Sequence, residues 1–410
     1  MEKIAVVLVL LPFLFLAPGL RAEEEPATED PRTRALDAWH WLQTVDAWRT
    51  AVLKQGRILR EGATTPDLKE RAQVATLDTL RVGSALREEA QEAFRTAFEA
   101  TPFEAWPREE LAEQTVIVRT GLDLAARHAL ETDPLAAIRW WDRLIETFPA
   151  SSEALRARTT WLPIALLSQD DVALARDRLV GLHEGADEKW QPQLQVALGD
   201  EAALRGDYQV ARALYEAALA AIPAEADRND PRGRLRGHLA LRLQLVGKSA
   251  PEIDGATWFG HEPVPLSALK GRVVLLDFQA TWCGPCLKSL PHLQALQDEL
   301  GERGLSVLAL TREYQKKGVL PERPGLPREL YRGTTRPEYV AHLEAFRERV
   351  GMTVPLVLIE KEAAEAYPVR GLPTMLVLDR DGTVGFVAVG GMRHHLLRRA
   401  VELRLGSVDR

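Results

Sequence analysis

Two spacings of apolar residues divide this chain. From Thr33 to Val246 they recur every three to four positions in stretches rich in Ala, Leu, Arg and Glu, the period of amphipathic helices. Prolines fall mostly at the joints of that pattern, at Pro102, Pro134, Pro149 and Pro223, where a residue without an N–H does least harm. Beyond Gly247 the spacing changes to short apolar runs at Val273–Phe278, Leu305–Leu310, Val354–Ile359, Thr374–Leu378 and Val384–Val389, each the length of a buried strand. Between the first two, Leu287, Leu290, Leu293, Leu296 and Leu300 predict a helix, so strand, helix and strand form a βαβ unit with parallel strands. Asp379-Arg380-Asp381-Gly382 between the last two runs predicts an antiparallel hairpin, and Met392 to Leu405 a closing helix. The fold class that follows is an all-α helical-repeat domain over 33–246 and an α/β domain over 258–410, with a central mixed sheet flanked by helices.

The segments outside these patterns are joints and ends. Ile4 to Ala17 is an apolar run behind Lys3, short for a bilayer span and the length of a signal-peptide core. Residues 1–22 are therefore set aside as a signal peptide cleaved after Ala22, with Ala17 as the alternative site and an uncleaved signal anchor as the alternative reading. Residues 23–32 are an acidic, proline-bearing arm, and Gly247-Lys248-Ser249-Ala250-Pro251 opens a linker over 247–257. Within the second domain, 312–351 reads as a Gly/Pro-rich loop to about residue 336, then a helix over Pro337–Val350 with Tyr339, Leu343, Phe346 and Val350 on one face.

Part of the helical region repeats. Gly206-Asp207-Tyr208 with Ala211, Tyr215, Ala218 and Pro223 places small residues where two helices pack closely, and weaker copies run through Ala137 to Pro149 and around Ala175 and Leu179. The spacing is slightly longer than the ~34 residues of the tetratricopeptide repeat, which this segment resembles in degenerate form. Such helix pairs stack on one another and offer a concave face to a protein partner; a plain helical spacer is the other reading. The eight tryptophans from Trp39 to Trp190 read as packing residues, and His128, His183 and His238 as ordinary surface or core histidines.

Composition narrows the function. The chain has 410 residues, 46% of them hydrophobic and 27% charged, with a net charge of −7 and no basic stripe, which excludes a nucleic-acid binder. Its 2 cysteines both lie in Cys283-Gly284-Pro285-Cys286, where the first strand hands over to the helix. Unpaired N–H groups at a helix N-terminus stabilise a thiolate and bring its pKa to roughly 3.5–7.5. Cys283 then becomes a nucleophile at neutral pH, and Cys286, one turn on, is placed to resolve a mixed disulfide. Half a zinc site is the alternative, but it lacks two ligands; His394-His395 could supply them, and nothing in the sequence ties that pair to the loop.

Trp282-Cys283-Gly284-Pro285-Cys286 resembles the active site of the thioredoxin superfamily without a mismatch. Asp277, six residues before the first cysteine, is similar to that family's buried acid, Pro291 to its helix-kinking proline, and Gly371-Leu372-Pro373-Thr374 to its cis-proline segment. Trp258 to Leu269 resembles the N-terminal extension, and 312–351 the insertion, of exported reductases of the cytochrome-maturation type. Gln279 stands where a tryptophan is usual, and the strand Leu305–Leu310 has no lysine to partner Asp277. The resemblance implies a thioredoxin fold and thiol–disulfide exchange, with Cys283 and Cys286 as a redox-active disulfide, no other cofactor, and Asp277 as the base that deprotonates Cys286. It assigns Trp282, Gly284, Pro285, Leu372 and Pro373 to substrate binding. Gly-Pro between the cysteines and Leu372 before Pro373 resemble reductases. The expected partners are a disulfide-bearing protein and an upstream, membrane-borne thiol donor, outside the cytoplasm in the periplasmic or secreted space. Two alternatives remain: a thiol peroxidase of the antioxidant family, although Ala280 stands where its motif has threonine, and a helical-repeat scaffold switched by the redox pair.

Overall fold

The computed structural model describes residues 30–406 except 63, 102–111, 228, 315–317, 322–328, 332 and 334. The expected signal peptide and most of the arm lie outside the described residues, as does much of the inserted loop. The chain forms two compact units, residues 1–128 with 142–153, and residues 129–141 with 154–410.

The first unit is built on a hairpin of two long helices, α1 (Pro31–Gly62) and α2 (Pro66–Glu99). Thr65 caps α2 by accepting from Leu68 N, and Pro66 takes the first helical position, where its missing N–H costs nothing. The helices lie close because Gly83 has no side chain: a Cβ there would fall 2.1 Å from the Trp48 ring. Trp39 packs on Phe94 at 5.3 Å. On α3 (Ala112–Ala129), Gly121 receives Phe98 in the same way. α4 (Pro134–Thr147), capped by Asp133, is divided between the units, with residues 134–141 in the second and 142–147 in the first.

From residue 154 the second unit continues through the end of α5 (Ser152–Arg156) into α6 (Leu162–Leu167), the two joined by one π-helical turn, Ala157–Trp161. Pro163 sits just beyond that turn and cannot donate to the preceding helix, which accounts for the widening. Then come α7 (Val172–Glu184), α8 (Gln191–Leu204), α9 (Tyr208–Ala220) and α10 (Pro231–Leu245). Asp171, Asp207 and Asp230 cap α7, α9 and α10 with their carboxylates. α8 and α9 touch because Gly199 admits the Tyr215 ring, whose Cε1 would lie 2.4 Å from a Cβ.

The sheet of this unit has six strands in the order β1-β6-β3-β2-β7-β8. They are β1 (Thr257–Phe259), β2 (Val273–Phe278), β3 (Leu305–Thr311), β6 (Leu356–Leu358), β7 (Thr374–Leu378) and β8 (Val384–Val389). β2 pairs with β3 in parallel and with β7 antiparallel, so the sheet is mixed, with β2 central and all six of its residues buried. The β7–β8 hairpin turns at Gly382 with φ +88°, a left-handed value that glycine adopts freely. Helices α11 (Gly284–Leu300) and α14 (His394–Leu405) pack on β3 and β2. The insertion holds a small antiparallel pair, β4 (Val319–Leu320) with β5 (Glu329–Leu330), and α12 (Arg336–Val350). A capping box between Thr335 and Glu338 starts α12, and Gly351 at φ +61° stops it. Its buried face includes His342 with Tyr339, Leu343 and Phe346, while Val350 is half-buried. α13 (Lys361–Ala366) leads on to β7.

The residues from 247 onward, read in the sequence as a linker, are hydrogen-bonded to the sheet. Gly247 N donates to Val384 O at 2.9 Å, Val384 N to Lys248 O at 2.8 Å, and Ala250 N to Gly382 O at 3.0 Å. α8 and α10 pack on the edge strand β8. Arg242 of α10 donates to Val387 O and to both carboxylate oxygens of Asp200, which also accepts from Tyr215 Oη. Arg404 of α14 pairs with Asp379 at 2.7 Å and reaches Ala203 O at 3.0 Å. The helices from α8 to α10 thus cover a strand edge that would otherwise offer unpaired backbone groups to another chain.

Candidate active site

The site forms where β2 ends. β2 is fully buried and emerges through Gln279, Ala280, Thr281 and Trp282, and α11 begins at Gly284. Cys283 is the N-cap residue, with φ −87° and ψ 98°, and its Sγ accepts from Cys286 N at 3.2 Å. A helix terminus leaves this N–H without an intrahelical partner, so the sulfur occupies the place a capping oxygen usually takes. Pro285 in the first turn forgoes an N–H that would be orphaned anyway. Cys283 and Cys286 are joined by a disulfide. Both are buried, at 4% and 2% exposure, whereas Trp282 beside them is 39% exposed. Ala280 packs with the two cysteines, and Tyr314 and Leu372 lie against them.

Asp277 lies on β2 between Ala309 and Met375 in the register of the sheet. It is buried, and its Oδ1 meets no donor among the described residues. Burial raises its pKa from 3.8 to about 7, because removing water penalises the carboxylate and no cation compensates. A group with that value is half-ionised near neutrality and can accept or release a proton there.

The disulfide opens onto a cleft of about 470 Å³, within the range of ligand sites. Of the residues assigned to the site from sequence, Trp282, Cys283, Gly284, Pro285 and Leu372 line it. Cys286, Asp277 and Pro373 lie behind these. The Leu372–Pro373 peptide is cis; Pro373 O accepts from Gly390 N, and Thr374 Oγ1 donates to Gly371 O, tying this loop to the sheet.

Several residues around the site carry no sequence motif. Tyr314, from the start of the insertion, meets Trp282 edge-on at 5.3 Å, and the Arg312 guanidinium lies 5.1 Å over the Tyr314 ring. Thr281 Oγ1 and His342 Nε2 are 2.9 Å apart, and Val319 N donates to the same hydroxyl at 3.2 Å. The insertion therefore grips the residue next to Trp282. Burial lowers the His342 pKa to about 4, so the ring is neutral at pH 7. One signal for His342 was available: a polar residue on the apolar face of α12. His394 and His395, the zinc alternative, both contact Glu131 O, and His394 stacks on His292 at 4.1 Å.

Residues 246–387 match the model of the AhpC/TSA family. The chain is 29% identical over 158 residues to the thiol-disulfide oxidoreductase ResA of Geobacillus kaustophilus, covering 38% of this chain and 76% of that protein. It is 27% identical over 157 residues to the thioredoxin-like protein YneN of Bacillus subtilis, covering 38% of this chain and 79% of its relative. Among solved structures, a thiol:disulfide interchange protein of the thioredoxin family from Chlorobium tepidum is similar at 22% identity, with a TM-score of 0.31, over 39% of this chain and 97% of that one. The six-stranded mixed sheet and the place of the cysteines are those of a thioredoxin-like domain, and residues 246–387 resemble the AhpC/TSA family in sequence.

Proposed function

We propose that this protein, a thioredoxin-like thiol–disulfide oxidoreductase, reduces disulfides of other proteins outside the cytoplasm. The observation that carries the reading is Cys283 itself: its sulfur caps α11 at the mouth of a cleft, with Cys286 bonded to it from behind. In the reduced protein, the Cys283 thiolate attacks one sulfur of a substrate disulfide. The substrate S–S bond breaks, a Cys283–substrate disulfide forms, and the other substrate sulfur leaves as a thiolate that takes a proton from water. Cys286 gives its proton to Asp277 and attacks Cys283; the mixed disulfide breaks and the second substrate thiol is released. Two electrons pass from the cysteine pair to the substrate, and an upstream thiol donor restores the pair. Leu372 would pair with the extended substrate, and Trp282 would shield the reacting sulfurs. The stacked helices would present a tetratricopeptide-like face to a partner.

Insulin reduction by the pre-reduced full chain tests the reading, with Cys283→Ser reducing activity to background. Equilibration with glutathione tests direction: a potential nearer the about −270 mV of thioredoxin supports a reductase, and one near about −120 mV overturns it. Rapid peroxide consumption without a disulfide substrate would favour the peroxidase alternative instead.

A further inference from the structure

We infer that the cleft beside the disulfide is a subsite for a carboxylate, and that the substrate carries an acidic residue next to the cysteine under attack. The inference rests on the disulfide-reductase reading and adds to it a preference among substrates. Among the described residues, the charged side chains lining the cleft are Arg312 and Arg370, and no carboxylate lines it. Neither guanidinium makes an ion pair or hydrogen bond with another described residue. The adjoining groove differs. There Glu313 and Glu360 share Arg336, Glu365 pairs with Lys361, and Arg312 is the third cation of that lining. Arg370 lines the cleft with Cys283 and not that groove.

A third donor lies in the same wall. Gln279 is only 4% exposed, and its Nε2 has no acceptor among the described residues. A buried amide left unpaired is costly, and because its Nε2 is sealed from solvent a carboxylate in the cleft reaches it only when the wall shifts. Both arginines are exposed, and each lies against a neighbour. Arg312 is stacked on Tyr314, which is itself seated against Trp282. Arg370 crosses α10 at Gly237, where a Cβ would come within 3.3 Å of its Cγ. Helix α10 thus flanks the cleft wall. The remaining lining is largely apolar, from Phe278, Leu310 and Ile359, which lowers the local dielectric and strengthens a charge-assisted contact.

The test uses the full chain, pre-reduced, and three disulfide peptides identical except for Glu, Gln or Lys beside the target cysteine. The wild type should reduce the Glu peptide with a kcat/KM about tenfold above the Gln peptide, as one charge-assisted hydrogen bond of about 1.4 kcal/mol supplies, with the Lys peptide slowest. Arg312→Gln combined with Arg370→Gln should bring the Glu/Gln ratio close to one, and Gln279→Leu should lower it part of the way. The ratio is internal to each variant, so a general loss of active protein does not move it. Equal kcat/KM for all three peptides in the wild type, or a ratio unchanged in the double variant, would overturn the subsite alone. No reduction of any peptide would overturn the reductase reading instead.

Discussion

Two buried aspartates in the same compact unit have opposite surroundings. Asp200, in the seam between α8, α10 and β8, receives both arms of the Arg242 guanidinium, at 2.8 and 2.9 Å, and the Tyr215 hydroxyl at 2.8 Å. Arg242 in turn donates to Val387 O on the sheet. Asp277, on the central strand below the disulfide, has an oxygen that meets no donor and a pKa raised to about 7 by burial. The same side chain is neutralised by partners in one place and left without them in the other. Pairing makes a carboxylate structural, since breaking a buried pair strands a charge. Leaving it unpaired costs stability but keeps a proton-transfer group poised near neutral pH.

The largest expected effect lies in the seam. Arg242→Leu leaves Asp200 buried without its cation and should lower unfolding free energy by about 3–5 kcal/mol in urea melts. A loss below about 1 kcal/mol would mean that the seam does not depend on this pair. Next comes the active site. Asp277→Asn should slow release of the mixed disulfide about 100-fold in single-turnover assays, while fold stability at pH 8 does not fall. The sign of the pH dependence follows from a folded pKa raised above the unfolded value. Stability from the protonated Asp277 is fully present below 3.8 and is lost as pH rises through about 7. Relative to Asp277→Asn, the wild type should therefore lose stability between pH 5 and pH 8; parallel curves would remove the contrast between the two aspartates. The smallest effect is Tyr215→Phe, which takes one hydrogen bond from Asp200 and should cost about 1 kcal/mol by the same urea measurement.

What was legible in the sequence was local. The apolar runs of β2, β3, β7 and β8, the Asp381-Gly382 turn and the Cys-Gly-Pro-Cys handover each carry their signal within a few residues, and each folds as that signal predicts. The α12 helix is legible for the same reason. What was not legible depends on pairing across the chain. Asp200 and Arg242 are 42 residues apart, and Thr281 and His342 are 61 apart, so no spacing rule brings them together. Gly247 to Ala250 has the composition of a linker, and its tie to Val384 and Gly382 arises only once the sheet exists. Arg312 and Arg370 are exposed arginines far apart in the chain, and only the folded domain brings both to the cleft. The absence of a lysine from Leu305–Leu310 did foreshadow an unpaired Asp277, because Ala309 stands beside it in the parallel register.

The contrast between the two aspartates is tested most directly by carboxyl carbon NMR of Asp277 in the oxidised protein, where the disulfide removes both thiols from the titration. A midpoint near 7, in a resonance absent from Asp277→Asn, is the predicted result. A midpoint at an ordinary value close to 3.8 would contradict the account, since the penalty of burial would then be offset by a partner of Asp277.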